Sequence, residues 1–161
     1  MKRLLVSFSG GQTSGYMAKV IKEAYEDRYD EVIYVFGNTG EEDERCLRFV
    51  DRCDREFALG VVWVEAVVHH GSRKGTEHRV VTFDTASRHG EPYEAHIQKY
   101  GIPNMAFPHC TRELKYRPIH SYAASLCSTK LILFPLNFTF SFSKTTNSPS
   151  CVSLSLKYMP S

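Results

Sequence analysis

This sequence of 161 residues lacks the long apolar runs that mark membrane proteins. A membrane-spanning helix needs about 20 consecutive apolar residues, and no stretch approaches that length. The apolar residues that follow the two N-terminal cations are too few for the core of a secretory signal peptide. We therefore expect a cytoplasmic protein with no membrane partner.

The sequence also lacks a strong excess of charge of one sign. Its formal net charge is +2, and its lysines and arginines are interleaved with acids rather than collected in a run. A nucleic-acid-binding surface depends on clustered cations that meet phosphates. Polynucleotide binding therefore has no support from the sequence. The sequence also gives no information about the oligomeric state.

Paired cysteines are missing as well. The odd number and the absence of a C-x-x-C pair favour free thiols in a reducing compartment, and we expect no iron–sulfur cluster. Seven histidines raise a weaker alternative, a metal-dependent hydrolase that uses His69, His70 and His109. No H-E-x-x-H pattern occurs, so we favour loop histidines and predict no metal ligands. The five cysteines are Cys46, Cys53, Cys110, Cys127 and Cys151.

The first 68 residues do contain a regular alternation of strand and helix patterns. Apolar runs predict strands at residues 4–8, 31–36 and 60–68, and helical spacing predicts helices at 16–24 and 42–57. Such alternation is typical of an α/β fold, in which a parallel sheet carries crossover helices and ligands bind beyond the carboxyl ends of the strands. With 42% apolar residues, the chain can bury one core.

A hydroxyl-rich bend, "SFSGGQTS", joins the first strand to the first helix. Its two adjacent glycines let the backbone approach an anion, and its hydroxyls can donate to one. The start of a helix adds unpaired N–H groups and partial positive charge. We predict a phosphate-binding loop, with an ordinary helix N-cap as the alternative. The candidate binding residues are Ser7, Ser9, Gly10, Gly11, Gln12, Thr13 and Ser14.

Two common nucleotide-binding patterns do not fit this bend. Gly10 and Gly15 have the G-x-x-x-x-G spacing of a Walker A loop, but Tyr16 and Met17 stand where that loop has Lys and Ser/Thr. The dinucleotide pattern G-x-G-x-x-G is also absent. Kinase-like, GTPase-like, nicotinamide and flavin sites are therefore disfavoured.

The pattern changes after the third strand. We expect a polar, irregular stretch at residues 69–90 with a short strand at 80–83, followed by a helix at 91–101. The sequence divides into an α/β domain at residues 1–126 and an atypical Ser-, Phe- and Leu-rich tail at 127–161.

The tail differs in composition from the rest of the chain. No acid occurs after Glu113 and no glycine after Gly101, while "KLILF" and "FTFSF" are candidate strands. The remainder has the composition of a disordered segment. We favour a truncated or frame-altered gene product over an ordinary C-terminal hairpin.

Three cations mark a second candidate anion site. Arg112, Lys115 and Arg117 surround a predicted turn and helix start at residues 110–118. A solvated cationic helix face explains the same pattern equally well.

Three segments together carry a family resemblance. "SFSGGQTS" resembles the S-G-G-x-D-S loop of the N-type ATP pyrophosphatase and phosphoadenosine phosphosulfate (PAPS) reductase superfamily, whose fold is called adenine nucleotide alpha-hydrolase-like. "FGNTGEEDERCLRFV" is similar to the segment after that family's second strand, and "CTRELKYRPI" is similar to its later anion-binding segment. The three occur in the family's order between residue 4 and about residue 126.

The resemblance implies a doubly wound, mostly parallel sheet with helices on both faces that binds an adenine nucleotide, ATP or PAPS. By the same resemblance, Asn38, Thr39 and Gly40 would lie near the nucleoside, and Arg112 and Lys115 would stabilise the phosphate or sulfate end. Pyrophosphatase members use Mg²⁺ with ATP, and reductase members act on PAPS with a thiol donor protein. We therefore expect a PAPS reductase-like oxidoreductase or transferase, or an ATP pyrophosphatase.

Two departures leave another function open. Thr13 replaces the acid of S-G-G-x-D-S, which removes a carboxylate that would help to organise Mg²⁺. The reductase motif E-C-G-x-H is absent, and Cys151 in "PSCVSL" does not replace it. The sequence therefore identifies no catalytic residue beyond the two candidate anion stabilisers, and a noncatalytic nucleotide-binding or interaction module is the alternative.

Overall fold

The fold is described by a computed structural model, which covers residues 3–71, 75–104, 109–126 and 131–134. A 3₁₀ turn follows the first helix, and a π-helical turn leads directly into the last helix. In chain order the elements are β1 (Arg3–Phe8), α1 (Gln12–Ala24), the 3₁₀ turn (Glu26–Arg28), β2 (Glu31–Asn38), α2 (Glu44–Phe57), β3 (Val62–Val68), β4 (Thr76–Val81), α3 (Glu91–Tyr100), the π-helical turn (Arg112–Tyr116), α4 (Arg117–Ser125) and β5 (Leu131–Phe134).

The strands form one mixed sheet in the order β4-β3-β2-β1-β5. β1, β2, β3 and β5 run parallel, whereas β4 pairs antiparallel with β3 at one edge. The turns that follow β1, β2 and β3 therefore emerge together at the carboxyl ends of these strands. The predicted phosphate loop lies at this end of the sheet.

Both faces of the central strands are buried, which explains their nearly continuous apolar sequences. On one face the strands pack against α1 and α2, and on the other face they pack against α4. The first core includes Leu4, Val6, Phe8, Tyr34, Phe36, Ala18, Ile21, Leu47 and Val50, and the second includes Leu5, Ile33, Val35, Val64, Ile119 and Ala123.

Helix α2 shows how local sequence sets an element boundary. Asp43 is its N-cap and accepts a hydrogen bond from the Arg45 amide at 2.8 Å. Hydrogen bonds from the Arg45 guanidinium, and to a lesser extent this amide bond, lower the pKa of the Asp43 carboxyl to about 2. The helix ends where Ala58 takes a left-handed conformation with φ of 49°. The predicted helix at residues 42–57 therefore begins two residues too early and ends correctly.

The prediction of an α/β fold with parallel strands is confirmed for β1, β2 and β3, and the predicted helix at residues 91–101 is present as α3. The predicted irregular stretch at residues 69–90 does contain a strand near the predicted position, but the bounds 80–83 are wrong, because β4 occupies Thr76–Val81. β4 lies at the sheet edge with one face largely exposed, so its sequence is mostly polar and carries no clear strand signal.

The candidate strand "KLILF" is present as β5, which pairs with β1 in the register Arg3 to Leu131. The sheet therefore continues past the domain boundary predicted at residue 126. "FTFSF" and the rest of the predicted tail lie outside the described residues. In the described part of the chain, no helix combines the length and the apolar character that crossing a membrane requires.

Candidate functional site

The bend after β1 is a tight turn that opens into the first turn of α1. Gly11 is the N-cap of α1, with φ of −88° and ψ of 161°, and it has no side-chain cap hydrogen bond. The first helical bond joins the Gly15 amide to the Gly11 carbonyl at 3.0 Å. Gly11, Gln12 and Thr13 are exposed. No side-chain cap hydrogen bond from the described residues occupies the start of α1, so its first-turn amides are candidate donors to an anion.

Gly10 is required by both conformation and space. Its φ is +78°, and a Cβ at this position would lie 2.5 Å from Cys46 Sγ and 3.2 Å from Phe36 Cε2. The Cys46 thiol also donates to the Gly10 carbonyl at 3.6 Å. The turn therefore packs against α2, and a side chain at residue 10 would clash with Cys46 and displace the turn from this helix.

The serines of the bend serve the turn itself. Ser14 is buried, and its Oγ donates to the Gly11 carbonyl at 2.7 Å. Ser9 Oγ donates to Ser14 Oγ at 3.1 Å. Ser7 lies within β1 and is half-buried. The hydroxyl groups of Ser9 and Ser14 therefore donate within the turn, which leaves the backbone N–H groups as the candidate donors to an anion.

The turn after β2 brings the predicted nucleoside residues next to the bend, but it uses them for internal contacts. Asn38 is fully buried, and its Nδ2 donates to Glu65 Oε1 at 2.7 Å and to the Ser87 carbonyl at 2.9 Å. Its Oδ1 accepts from the Gly40 amide at 3.2 Å. Thr39 Oγ1 donates to a Glu42 oxygen at 3.2 Å. The side-chain amide of Asn38 therefore makes its hydrogen bonds within the protein, and these bonds orient the turn.

Glu65, on β3, is the centre of the buried network that holds Asn38. Its carboxylate is fully buried and also accepts from the Ser87 amide and hydroxyl. Arg79 of β4 completes the network with bonds of 2.9 and 2.7 Å to Oε2. Because a buried carboxylate is costly unless it is fully hydrogen-bonded, this network fixes the ends of β2 and β3 together.

Lys115 lies in the π-helical turn, close to the carboxyl end of β2. Its Nζ lies 2.7 Å from Glu42 Oε1, with 32% of the Lys115 side chain and 18% of the Glu42 side chain exposed. A Cβ at Gly37, near the end of β2, would lie 3.5 Å from Lys115 Cα. π-helical turns occur often at functional sites, and this one places a cation beside the loop ends.

Arg112 lies in the same π-helical turn but has a different partner. Its Nε donates to Glu113 Oε1 at 3.0 Å. The other oxygen of that buried carboxylate accepts from Thr76 of β4 at 2.8 Å. Arg117 lies 3.7 Å from Glu113 as well. The described contacts therefore place Lys115 at the carboxyl ends of the strands, where the bend lies, whereas Arg112 pairs with Glu113.

The candidate metal-binding histidines have separate partners. His69 Nε2 lies 2.9 Å from Glu77 Oε2, and His109 Nδ1 lies 2.8 Å from His96 Nε2. His70 is exposed. His96 is fully buried, and this burial, followed by the charge of His109, lowers the pKa of His96. Within the described residues, no group of three His, Cys, Asp or Glu side chains could hold a metal ion.

Four residues of this region were missed by sequence reasoning. Glu65 carries the clearest signal, because it is an acid inside an otherwise apolar strand. Glu42 and Cys46 follow the second glycine turn, where polar residues are common at the start of a helix and so give no distinct signal. His96 resembles any polar residue of an amphipathic helix.

Burial, and to a lesser extent the Glu42 carboxylate, raises the pKa of the Cys46 thiol, so the thiol is protonated near neutral pH.

Comparison with known proteins shows similarity to a phage protein. The chain is 31% identical over 121 residues, or 73% of its length, to an "Uncharacterized nin region protein ORF290" of Escherichia phage lambda. The chain spans 41% of the length of that relative. No protein-family model matches the chain. No solved structure matches it either.

Proposed function

We propose that this chain binds an adenine nucleotide, as in PAPS reductase-like proteins, and acts at the phosphate or sulfo-phosphate linkage of ATP or PAPS. The observation that carries the proposal is the start of α1, where the exposed residues Gly11, Gln12 and Thr13 present amides without a side-chain cap. A phosphate would accept from these amides and interact favourably with the helix dipole.

The order of the strands supports the same position. The chain moves outward from β1 to β4 on one side of the sheet and returns to add β5 on the other side of β1. Ligands of open α/β sheets bind beyond the carboxyl ends of the strands where the order reverses. The bend after β1 lies at such a reversal. This arrangement favours the finer proposal of a doubly wound, adenine nucleotide alpha-hydrolase-like fold.

The charges around the bend favour an anionic ligand. The first turn of α1 contains no acid, and Lys115 stands at the neighbouring turn. In the proposed complex, one phosphate occupies the amides of the bend, and Lys115 stabilises the phosphate or sulfate group next to it. Cytoplasmic localisation and a thiol donor protein remain predictions from the sequence.

A noncatalytic nucleotide-binding module is the second candidate. Thr13 supplies a hydroxyl where the family has a carboxylate, and the Cys46 thiol beside the bend has a raised pKa, which disfavours it as a nucleophile. Under this alternative, the chain would bind the nucleotide without converting it.

Calorimetry with ATP, AMP and PAPS tests the binding, and measurement of pyrophosphate release from ATP and sulfite release from PAPS tests the reaction. Gly11→Val should abolish binding because its side chain would stand over the amides. Gly71→Val is the matched control, since a Cβ at that exposed glycine meets nothing within 4 Å. Absence of binding to all three ligands at millimolar concentration would refute the proposal, and binding without product release would select the second candidate.

A further inference from the structure

The ion pair between Glu42 and Lys115 places a carboxylate in competition with any anion that needs the lysine. Glu42 Oε1 lies 2.7 Å from Lys115 Nζ and also accepts from Thr39 Oγ1 at 3.2 Å. Both side chains are mostly withdrawn from solvent. Salt screens such a partly buried pair less than it screens a surface pair, so an incoming anion must compete with Glu42 for the ammonium.

The thiol of Cys46 shows where this pair lies with respect to the bend. Burial is the main reason that the pKa of Cys46 is raised, the Glu42 carboxylate raises it further, and Lys115 opposes both. The same sulfur contacts the Gly10 carbonyl. Glu42 precedes the first residue of α2 by two positions, and Cys46 lies in the first turn of that helix, so the pair lies at the end of α2 that contacts Gly10.

An arriving monophosphate can use the amides of α1 but meets Lys115 already paired. A ligand with two adjacent anionic groups can place one on the amides and offer the second to Lys115 in place of Glu42. We propose that Glu42 is a competing counter-ion, which the second anionic group of a ligand must displace from Lys115, so that Lys115 supplies the preference for a diphosphate, triphosphate or sulfo-phosphate. This inference rests on the proposed nucleotide site and names the class of anion that the site selects.

Calorimetry with orthophosphate and pyrophosphate tests the selection without a nucleoside. Glu42→Gln should raise the affinity for pyrophosphate by about tenfold or more, because Lys115 becomes free, and should raise that for orthophosphate by less than about threefold. Glu41→Gln is the matched control, since it removes the same charge one residue away, and it should change both affinities equally. An equal gain for both anions in Glu42→Gln, or no gain, would overturn the inference.

Removal of the lysine provides a second test. Lys115→Met, made in the Glu42→Gln protein, should reduce the affinity for pyrophosphate to that for orthophosphate. A pyrophosphate preference that survives without Lys115 would contradict the exchange.

The outcomes separate this inference from the proposed function. Wild-type protein that binds AMP and ADP equally, with no effect of Glu42→Gln, would leave the nucleotide site standing and overturn the role of Glu42. A wild type that binds no nucleotide, together with a selective gain of pyrophosphate affinity in Glu42→Gln, would support that role and refute the proposed function. Failure of every variant to bind any phosphate would overturn both.

Discussion

Replacement of Gly11 by aspartate should stabilise the protein and weaken its binding of phosphate at the same time. Gly11 already has the extended conformation of an N-cap. A Cβ there meets only Ser9 Oγ at 3.8 Å and Ser14 Oγ at 4.0 Å, so the side chain fits. The new carboxylate would accept from the first-turn amides of α1 and occupy the position that we assign to the ligand.

The expected gain in stability follows from two known effects. An aspartate N-cap exceeds glycine by a few tenths of a kcal/mol, and a negative charge at a helix N-terminus adds about 0.3–1 kcal/mol. We therefore expect Gly11→Asp to raise the free energy of unfolding by about 0.5–1.5 kcal/mol. Urea unfolding followed by circular dichroism measures this difference.

Binding of ADP to the same protein, measured by calorimetry, should fall by more than about tenfold, because the amides are occupied and the carboxylate repels phosphate. Gly11→Asn separates the two causes, since it caps the helix without a charge, and Gly11→Ala provides neither effect. Loss of stability in Gly11→Asp would show that the amides are not accessible. Unchanged ADP affinity in a stabilised Gly11→Asp protein would show that they are not the binding site.

Three further predictions concern stability. Gly10→Ala should lower the free energy of unfolding by about 2–4 kcal/mol in urea, because the left-handed φ and the contact with Cys46 both oppose a Cβ; a loss below 1 kcal/mol would contradict this. Glu65→Gln should cost about 3 kcal/mol in the same assay, because Arg79 loses its buried carboxylate, and a neutral result would show that the network is not structural. The lowered pKa of His96 means that the unfolded chain takes up a proton first, so thermal stability should fall as the pH decreases below about 6.5. His96→Gln should reduce this slope, and an identical slope would assign it to other groups.

The sequence predicts the central strands well because their signal is local. The apolar runs that become β1, β2 and β3 are buried on both faces, so almost every residue in them carries the pattern. β4 could not be recognised in the same way, since its residues Thr76–Val81 are mostly polar at the sheet edge. Only pairing with β3, a nonlocal event, makes that segment a strand.

For the candidate site too, the sequence predicts the features that depend on local sequence and misses those that depend on nonlocal contacts. The glycines of the bend were identified because turn chemistry and helix starts are local features. The partners of Lys115 and Asn38 were not identified, because Glu42 and Glu65 meet them only after the chain has folded. The sequence located Lys115 as a cation of interest, but it could not show that a carboxylate holds it.

The most direct test of the central claim observes the amides themselves. In ¹⁵N-labelled protein titrated with pyrophosphate, we predict that the amide resonances of residues 11–14 shift most and reach saturation together with the calorimetric binding curve. Resonances of residues 11–14 that stay unmoved while pyrophosphate binds, or a spectrum that does not change at all, would contradict the assignment of this helix start as the anion site.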